Sequence, residues 1–162
     1  MERAVISPLP SAVLTEIDAL RSRYPTTRAV LLPALHIVQR HNDGWLSEAS
    51  IEALAVHLDL KPADVLGVVS FYDMYHQRPV GKYRIRVCTN LSCQLRGAEE
   101  VLDALTRELG VEEGEVSADG RCSVVHFECL GSCDTAPMMM LNDDYHENLT
   151  PGRAIEIIRS LK

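Results

Sequence analysis

All five cysteines of this 162-residue chain (Cys88, Cys93, Cys122, Cys129 and Cys133) lie after residue 80. In a reducing compartment, cysteines clustered in this way bind metal or do redox chemistry more often than they form structural disulfides. Cys88 and Cys93 are separated by four residues, and Cys129 and Cys133 by three. If each pair spans a short loop at the end of a strand, one compact pocket receives all four thiolates. Thiolates meeting at one point repel strongly unless cations neutralise them, so the set points to a metal ion or a cluster. The spacing discriminates between these. Structural zinc favours short knuckles, most often with two intervening residues, although two to four are tolerated. A [2Fe–2S] cluster is wider, suits longer loops and takes four cysteines as its usual ligand set. The loops contain Thr89, Asn90, Ser92, Gly131 and Ser132, small or turn-forming residues whose main-chain N–H groups can face sulfur and tune a potential. The spacing favours [2Fe–2S]; zinc is the first alternative and a pair of disulfides the second. The closely spaced cysteine run of plant-type ferredoxins is absent, as is the dithiol with two intervening residues that a thiol–disulfide enzyme uses.

The elements around these loops are predicted as follows. Lys82 to Val87 alternates polar and apolar residues, the period of a half-buried strand, and delivers Cys88. Gly97 to Leu109 is an amphipathic helix through Val101, Leu102, Leu105 and Leu109, stopped by Gly110. Ser123 to Glu128 is a second strand and delivers Cys129. Met138 to Leu141 is a third, turning at Asn142-Asp143-Asp144 into Tyr145, and Thr150-Pro151 caps a last helix carrying Ile155, Ile157, Ile158 and Leu161. The order β-α-β-β-α is that of a thioredoxin-like layer of helices on a small sheet. Upstream, four short helices are expected: one from Pro8-Leu9-Pro10-Ser11 to about Tyr24-Pro25, one over Ala29 to Gln39, one capped by Ser47, and one starting at Pro62 and reaching Phe71. They make a small bundle. The composition changes at Gln77 to Gly81, which divides the chain into a helical part over 1–78, for which partner docking is the expected role, and a metal-binding α/β part over 79–162. The fold class is therefore α+β.

Composition excludes several functions. Hydrophobic residues form 46% and charged residues 24%, which is a globular composition, and a chain of this length can bury roughly 70% of its extended surface. The net charge is −7, shared as −2 over residues 1–80 and −5 over 81–162, so bulk charge does not suit nucleic acid or an anionic membrane. No apolar run approaches the ~18 residues of a spanning helix, and the start, broken by Pro8 and Pro10, does not read as a secretory or transit leader. The expected location is cytoplasmic. No glycine-rich nucleotide fingerprint, phosphate loop or nucleophile–base pairing is present, so the chain is not expected to bind NADH or flavin itself.

The remaining candidates read mostly as structure. His36, His41, His57, His76 and His146 share no ligand spacing, and His126, on the strand leading to Cys129, reads as a strand residue rather than a neighbour of the metal. Cys122 is expected to face the core as a small hydrophobe. Met138, Met139 and Met140 form an apolar strand, and Pro137 fits either a cis proline beside the site or an ordinary trans strand start. Arg96 fits either a counter-charge to the site or a solvated arginine, and Phe71 to Tyr75 fits either a partner face or packing between the two parts. Glu112, Glu113 and Glu115 read as a solvated loop.

Val87-Cys88-Thr89-Asn90-Leu91-Ser92-Cys93-Gln94-Leu95-Arg96-Gly97-Ala98 and Glu128-Cys129-Leu130-Gly131-Ser132-Cys133-Asp134-Thr135-Ala136-Pro137-Met138 closely resemble the thioredoxin-like [2Fe–2S] protein of NADH-quinone oxidoreductase, the E-subunit family of bacterial complex I. The likeness extends to Leu32-Pro33-Ala34-Leu35-His36, Phe71-Tyr72-Asp73-Met74-Tyr75, Pro79 to Tyr83, Asn142 to Tyr145 and Leu149-Thr150-Pro151. The resemblance implies a helical bundle followed by a thioredoxin-like ferredoxin domain, with one [2Fe–2S] cluster on Cys88, Cys93, Cys129 and Cys133. It implies as partner the flavoprotein subunit that carries FMN and the NADH site, within a larger respiratory or NAD-linked complex. The cluster of that family exchanges electrons with the flavin and lies off the main route to quinone. Related subunits serve NAD-dependent formate dehydrogenases and NAD-linked hydrogenases. Such a subunit carries electrons, has no active site of its own and meets the membrane only through its complex. Cys122 departs from the family pattern and is left outside the ligand set.

Overall fold

The computed structural model describes residues 9–161; the start of the first expected helix, at Pro8, lies outside them. The chain divides into two compact units at the Pro79–Val80 bond. The first contains α1 (Ser11–Leu20), α2 (Leu31–His41), α3 (Glu48–Leu58) and α4 (Pro62–Phe71), with short 3₁₀ turns at Arg21–Arg23 and Thr27–Val30. The side chains Ile17, Leu35, Leu46, Leu54 and Leu58 are fully buried and form its centre. The helix starts are set by sequence: Thr26 and Ser47 each accept a main-chain N–H three residues on, and Pro62 opens α4, where its missing N–H costs nothing. Gln39 is buried and satisfied, donating to the Met74 carbonyl at 2.9 Å and accepting from the His76 N–H at 2.8 Å. Tyr75 is buried in this unit and donates to the Leu32 carbonyl at 2.9 Å, whereas Phe71 and Tyr72 are exposed.

The second unit contains β1 (Tyr83–Cys88), α5 (Leu91–Leu95), α6 (Ala98–Leu109), β2 (Cys122–Phe127), β3 (Met139–Leu141), β4 (Asp144–His146) and α7 (Pro151–Ser160). The sheet order is β2-β1-β3-β4; β1 runs parallel to β2 and antiparallel to β3, and β3 pairs antiparallel with β4. Ile85 and Val87 point into the core while Arg84 and Arg86 are half-buried, the alternation read from the sequence. Val101 and Leu105 of α6, Val124 of β2, and Met138 and Met139 complete the core. A fork of two bonds, Arg159 to Glu108 at 2.7 and 2.9 Å, joins α7 to α6 across the surface.

Two elements go beyond the sequence reading. Residues 144–146 form a fourth strand where only a turn into Tyr145 is predicted, and a five-residue helix begins in the first cysteine loop and runs through Cys93 to Leu95. The β3–β4 turn is bound to the neighbouring strand: Asn142 takes φ 53°, accepts from the Arg84 N–H at 2.9 Å and donates its own N–H to the Arg84 carbonyl at 2.8 Å. Asparagine tolerates that left-handed conformation better than most residues.

Candidate metal centre

Cys88 is the last residue of β1, and its register partner on β2 is Phe127. Cys129 follows two residues later, so parallel pairing brings the two cysteine-bearing loops out at the same edge of the sheet. Two bonds hold the loops together there. The Thr89 N–H donates to the Phe127 carbonyl at 2.9 Å, and the Cys88 N–H donates to the Met138 carbonyl at 3.1 Å. Cys93 lies within α5, and Cys133 begins a 3₁₀ turn, Cys133–Thr135, that packs against α5. The topology thus gathers the four sequence-predicted residues at one end of the sheet.

The thiols differ in environment. Cys88 and Cys93 are 2% and 1% exposed and belong to the core, whereas Cys129 and Cys133 are exposed. Burial pushes the Cys93 thiol up to about 11; its hydrogen bond with Cys88 and the proximity of Cys88 and Cys133 push in the same direction, against a main-chain hydrogen bond from Met138. All five cysteines are free thiols in this structure. Among the described residues, no group of three or more His, Cys, Asp or Glu side chains is placed to hold a metal ion. The inner pair, Cys88 and Cys93, and the outer pair, Cys129 and Cys133, together offer four sulfur donors from two loops. That donor set fits a dinuclear iron–sulfur group.

Other candidates fall outside the centre. Cys122 is buried at the start of β2, at the opposite end of that strand from Cys129, and burial raises its thiol as well. His126 is exposed and contacts the Glu113 carboxylate, which also accepts the His126 N–H at 2.9 Å. His41 and His57 contact Glu16 and Asp18, and His36 lies against the Tyr75 ring at 5.0 Å. Arg96 is exposed, beside an open groove of about 490 Å³ lined by Leu95, Gly97, Glu100, Leu149 and Thr150. The Ala136–Pro137 bond is cis, so of the two forms open to Pro137 the structure takes the first. Arg86 lies over the Phe127 ring at 5.5 Å and donates to the Asn142 carbonyl at 3.0 Å, while its buried Nε has no partner.

The sequence reading missed Tyr145 and Glu147, which hold the second loop. Tyr145 Oη donates to the Leu130 carbonyl at 2.6 Å, and one Glu147 carboxylate oxygen accepts from Thr135 Oγ1 at 2.6 Å and from the Ser132 hydroxyl. These hydroxyl bonds hold the Glu147 carboxyl below the usual carboxylate range. Tyr145 closes the family-like string Asn142 to Tyr145, which gave it no role, and Glu147 lies outside every string; the signal available was a tyrosine and a glutamate soon after a turn.

Comparison with known proteins agrees with this geometry. The family described as thioredoxin-like [2Fe–2S] ferredoxin matches residues 17–162. The E subunit of NADH-quinone oxidoreductase from Rickettsia bellii is 39% identical over 151 residues, covering 92% of this chain and 90% of that protein. Its counterpart from Mycobacterium bovis is 42% identical over 149 residues, 91% of this chain; the chain spans only 59% of that relative's length. Among solved structures, an NAD+-reducing [NiFe]-hydrogenase in the H2-reduced state superposes with a TM-score of 0.69 at 25% identity, covering 80% of this chain and 21% of the hydrogenase chain.

Proposed function

The chain belongs to the thioredoxin-like [2Fe–2S] ferredoxin family, and from that premise we propose that it is the electron-carrying subunit of an NADH-oxidising complex, with Cys88, Cys93, Cys129 and Cys133 as its ligands. Its cofactor is a [2Fe–2S] cluster. Bound there, the cluster supplies one-electron transfer, which needs no acid, base or nucleophile from the protein. The observation that carries the reading is the arrival of four free thiols at one end of the sheet, from two loops tied together by the Thr89–Phe127 bond.

The chain's own residues have three tasks in this reading. Cys88 and Cys93 anchor the group to the core and shield it from water on that side. Cys129 and Cys133 leave the other side near the surface, where an electron can cross to a partner. Leu91 and Leu95, 70% and 78% exposed on the helix that carries Cys93, support an apolar partner face beside the cluster. The partner is a flavoprotein subunit holding FMN and the NADH site, and the helical unit over 1–78 contributes to its docking. The host is NADH-quinone oxidoreductase, as the relatives from Rickettsia bellii and Mycobacterium bovis favour. The superposition on an NAD+-reducing hydrogenase favours an NAD-linked hydrogenase as the second host. Among the described residues no helix is long and apolar enough to cross a membrane; the place proposed for the chain is peripheral, on the cytoplasmic side of such a complex.

The test is electron paramagnetic resonance of anaerobically purified, dithionite-reduced chain, with iron, zinc and sulfide counted on the same sample. The native chain and Cys122→Ser should hold about two iron and two sulfide with an S = ½ signal, and Cys129→Ser should lose or strongly alter that signal. Loss in Cys122→Ser with retention in Cys129→Ser would overturn the ligand set; stoichiometric zinc without iron after reconstitution would overturn the electron-carrying role.

A further inference from the structure

The outer cysteine pair lacks the packing that fixes the inner one. Cys129 and Cys133 are exposed, so their positions depend on what holds the loop between them. Three connections from residues 145–148 do so. Tyr145 donates to the Leu130 carbonyl at 2.6 Å, and the Asn148 N–H donates to the Thr135 carbonyl at 2.7 Å. Between them, Glu147 takes the Thr135 hydroxyl at 2.6 Å and the Ser132 hydroxyl on one carboxylate oxygen. Ser132 and Thr135 bracket Cys133 in sequence, and their hydroxyl oxygens lie 2.8 Å apart. Hydrogen bonds to an ionised carboxylate are roughly twice as strong as neutral ones, so this contact is the firmest polar support the loop has.

Glu147 therefore brings a fixed negative charge to the neighbour of a proposed ligand. Glu128 and Asp134 also flank ligands, yet neither has a hydrogen-bond or ion-pair partner among the described residues, and both are free to turn into water. Reduction adds one electron to the cluster and raises its negative charge by one. A carboxylate held beside it opposes that change, and water and salt weaken the opposition without reversing its sign.

We propose that Glu147 is a positioning residue for Cys133 and its loop, and that its held carboxylate lowers the reduction potential of the cluster. The inference rests on the reading of Cys129 and Cys133 as ligands.

The experiment uses the full chain, reconstituted anaerobically with iron and sulfide and titrated with dithionite under electron paramagnetic resonance. Glu147→Gln keeps an oxygen that can accept from both hydroxyls and removes the charge. It should load fully and show a midpoint potential more positive than native. That difference should shrink between 0.1 M and 1 M salt, as the screening length falls from about 10 Å to about 3 Å. Glu147→Asp keeps the charge and should return the midpoint toward native. Glu147→Ala loses charge and acceptor together and should surrender iron to a chelator faster than native, on the order of ten-fold for a lost support of metal ligands. A Glu147→Gln midpoint equal to or below native at both salt concentrations overturns the charge role; native-rate iron loss from Glu147→Ala overturns the positioning role. If native chain takes up no iron and sulfide, the ligand set itself is overturned and this inference with it; a loaded native chain with unresponsive variants removes only this inference.

Discussion

Replacing Gly81 by alanine should destabilise the α/β unit by roughly 2 kcal/mol, although the same change at Gly67 should stabilise the helical unit. A Cβ on Gly81 would lie 2.5 Å from the carbonyl carbon of Cys122, 2.6 Å from the Ser123 nitrogen and 2.8 Å from the Cys122 Cα. All of these are main-chain atoms of the neighbouring strand, so no side chain can swing away; the start of β1 must move off β2. Overpacking of this kind costs about 1–3 kcal/mol, and rigid neighbours place it at the upper end. The weak bond from the Gly81 N–H to Ser123 Oγ, 3.3 Å long, would be strained as well. Against this, alanine restricts the unfolded chain and returns about 0.4–1 kcal/mol. Over residues 80–162, a net loss near 2 kcal/mol lowers the midpoint of unfolding by about 8–16 °C. Gly67 lies within α4 and a Cβ there meets nothing within 4 Å, so alanine should add about 0.5–1 kcal/mol of helix stability. Circular dichroism during thermal and urea unfolding of the full chain measures both. A neutral or stabilising Gly81→Ala would refute the packing argument, and a destabilising Gly67→Ala would show that the sign does not follow local space.

Leu105→Ala removes a fully buried side chain from the core of the α/β unit and should cost about 2–5 kcal/mol, read as a lowered calorimetric midpoint; a loss below 1 kcal/mol would mean that the core collapses onto the gap. Asp18 accepts from Arg21 at 2.8 Å and from His57 at 2.9 Å, and these contacts, the Arg21 bond foremost, hold its carboxyl below the usual 3.8. Because the folded value is the lower one, the contribution is complete above pH 3.8 and disappears as the pH falls below it, so Asp18→Asn should flatten the stability profile there. With side chains this exposed, the difference at neutral pH should stay under about 1 kcal/mol in urea titrations.

What the sequence made legible follows from how locally each feature is encoded. The helix starts at Ser47, Pro62 and Thr150 were readable because capping and proline geometry act within one turn, and each stands where expected. The alternation from Lys82 to Val87 was readable because Ile85 and Val87 point one way and Arg84 and Arg86 the other. The strand at Asp144–His146 was not, since three residues with a charged first member and no buried face carry no period. Its pairing comes from the turn at Asn142, whose bonds to Arg84 join positions 58 apart in the chain. Nor was α5 readable, as five residues complete little more than one turn. Cys122 was set apart from the other cysteines by its departure from the family pattern, and in the fold it lies at the start of β2, at the other end of that strand from Cys129.

The same distinction explains why the proposed donors could be nominated from sequence and the contacts that hold their loops could not. The proposed ligands are nominated by the covalent spacing of Cys88 with Cys93 and of Cys129 with Cys133. The inner pair also inherits its burial from apolar neighbours, since Val87 and Ala98, which flank the first loop, both lie in the core. The outer loop is covered only in part: Leu130 and Ala136 lie in the core, whereas Cys129 and Cys133 stay exposed. Gly131, Ser132 and Asp134 bury little, and the loop's order derives from hydroxyl, carbonyl and carboxylate partners that only tertiary structure brings near. A site built this way has one side fixed by packing and one that adds polar contacts to a hairpin to the packing of Leu130 and Ala136. Packing fixes the inner side against salt and pH, whereas the outer side stays responsive to both. A cluster that must be retained by its chain and yet exchange electrons at a surface needs both kinds of side. Changes on the hairpin should therefore move the potential before they empty the site, and changes beneath Cys88 and Cys93 should do the reverse.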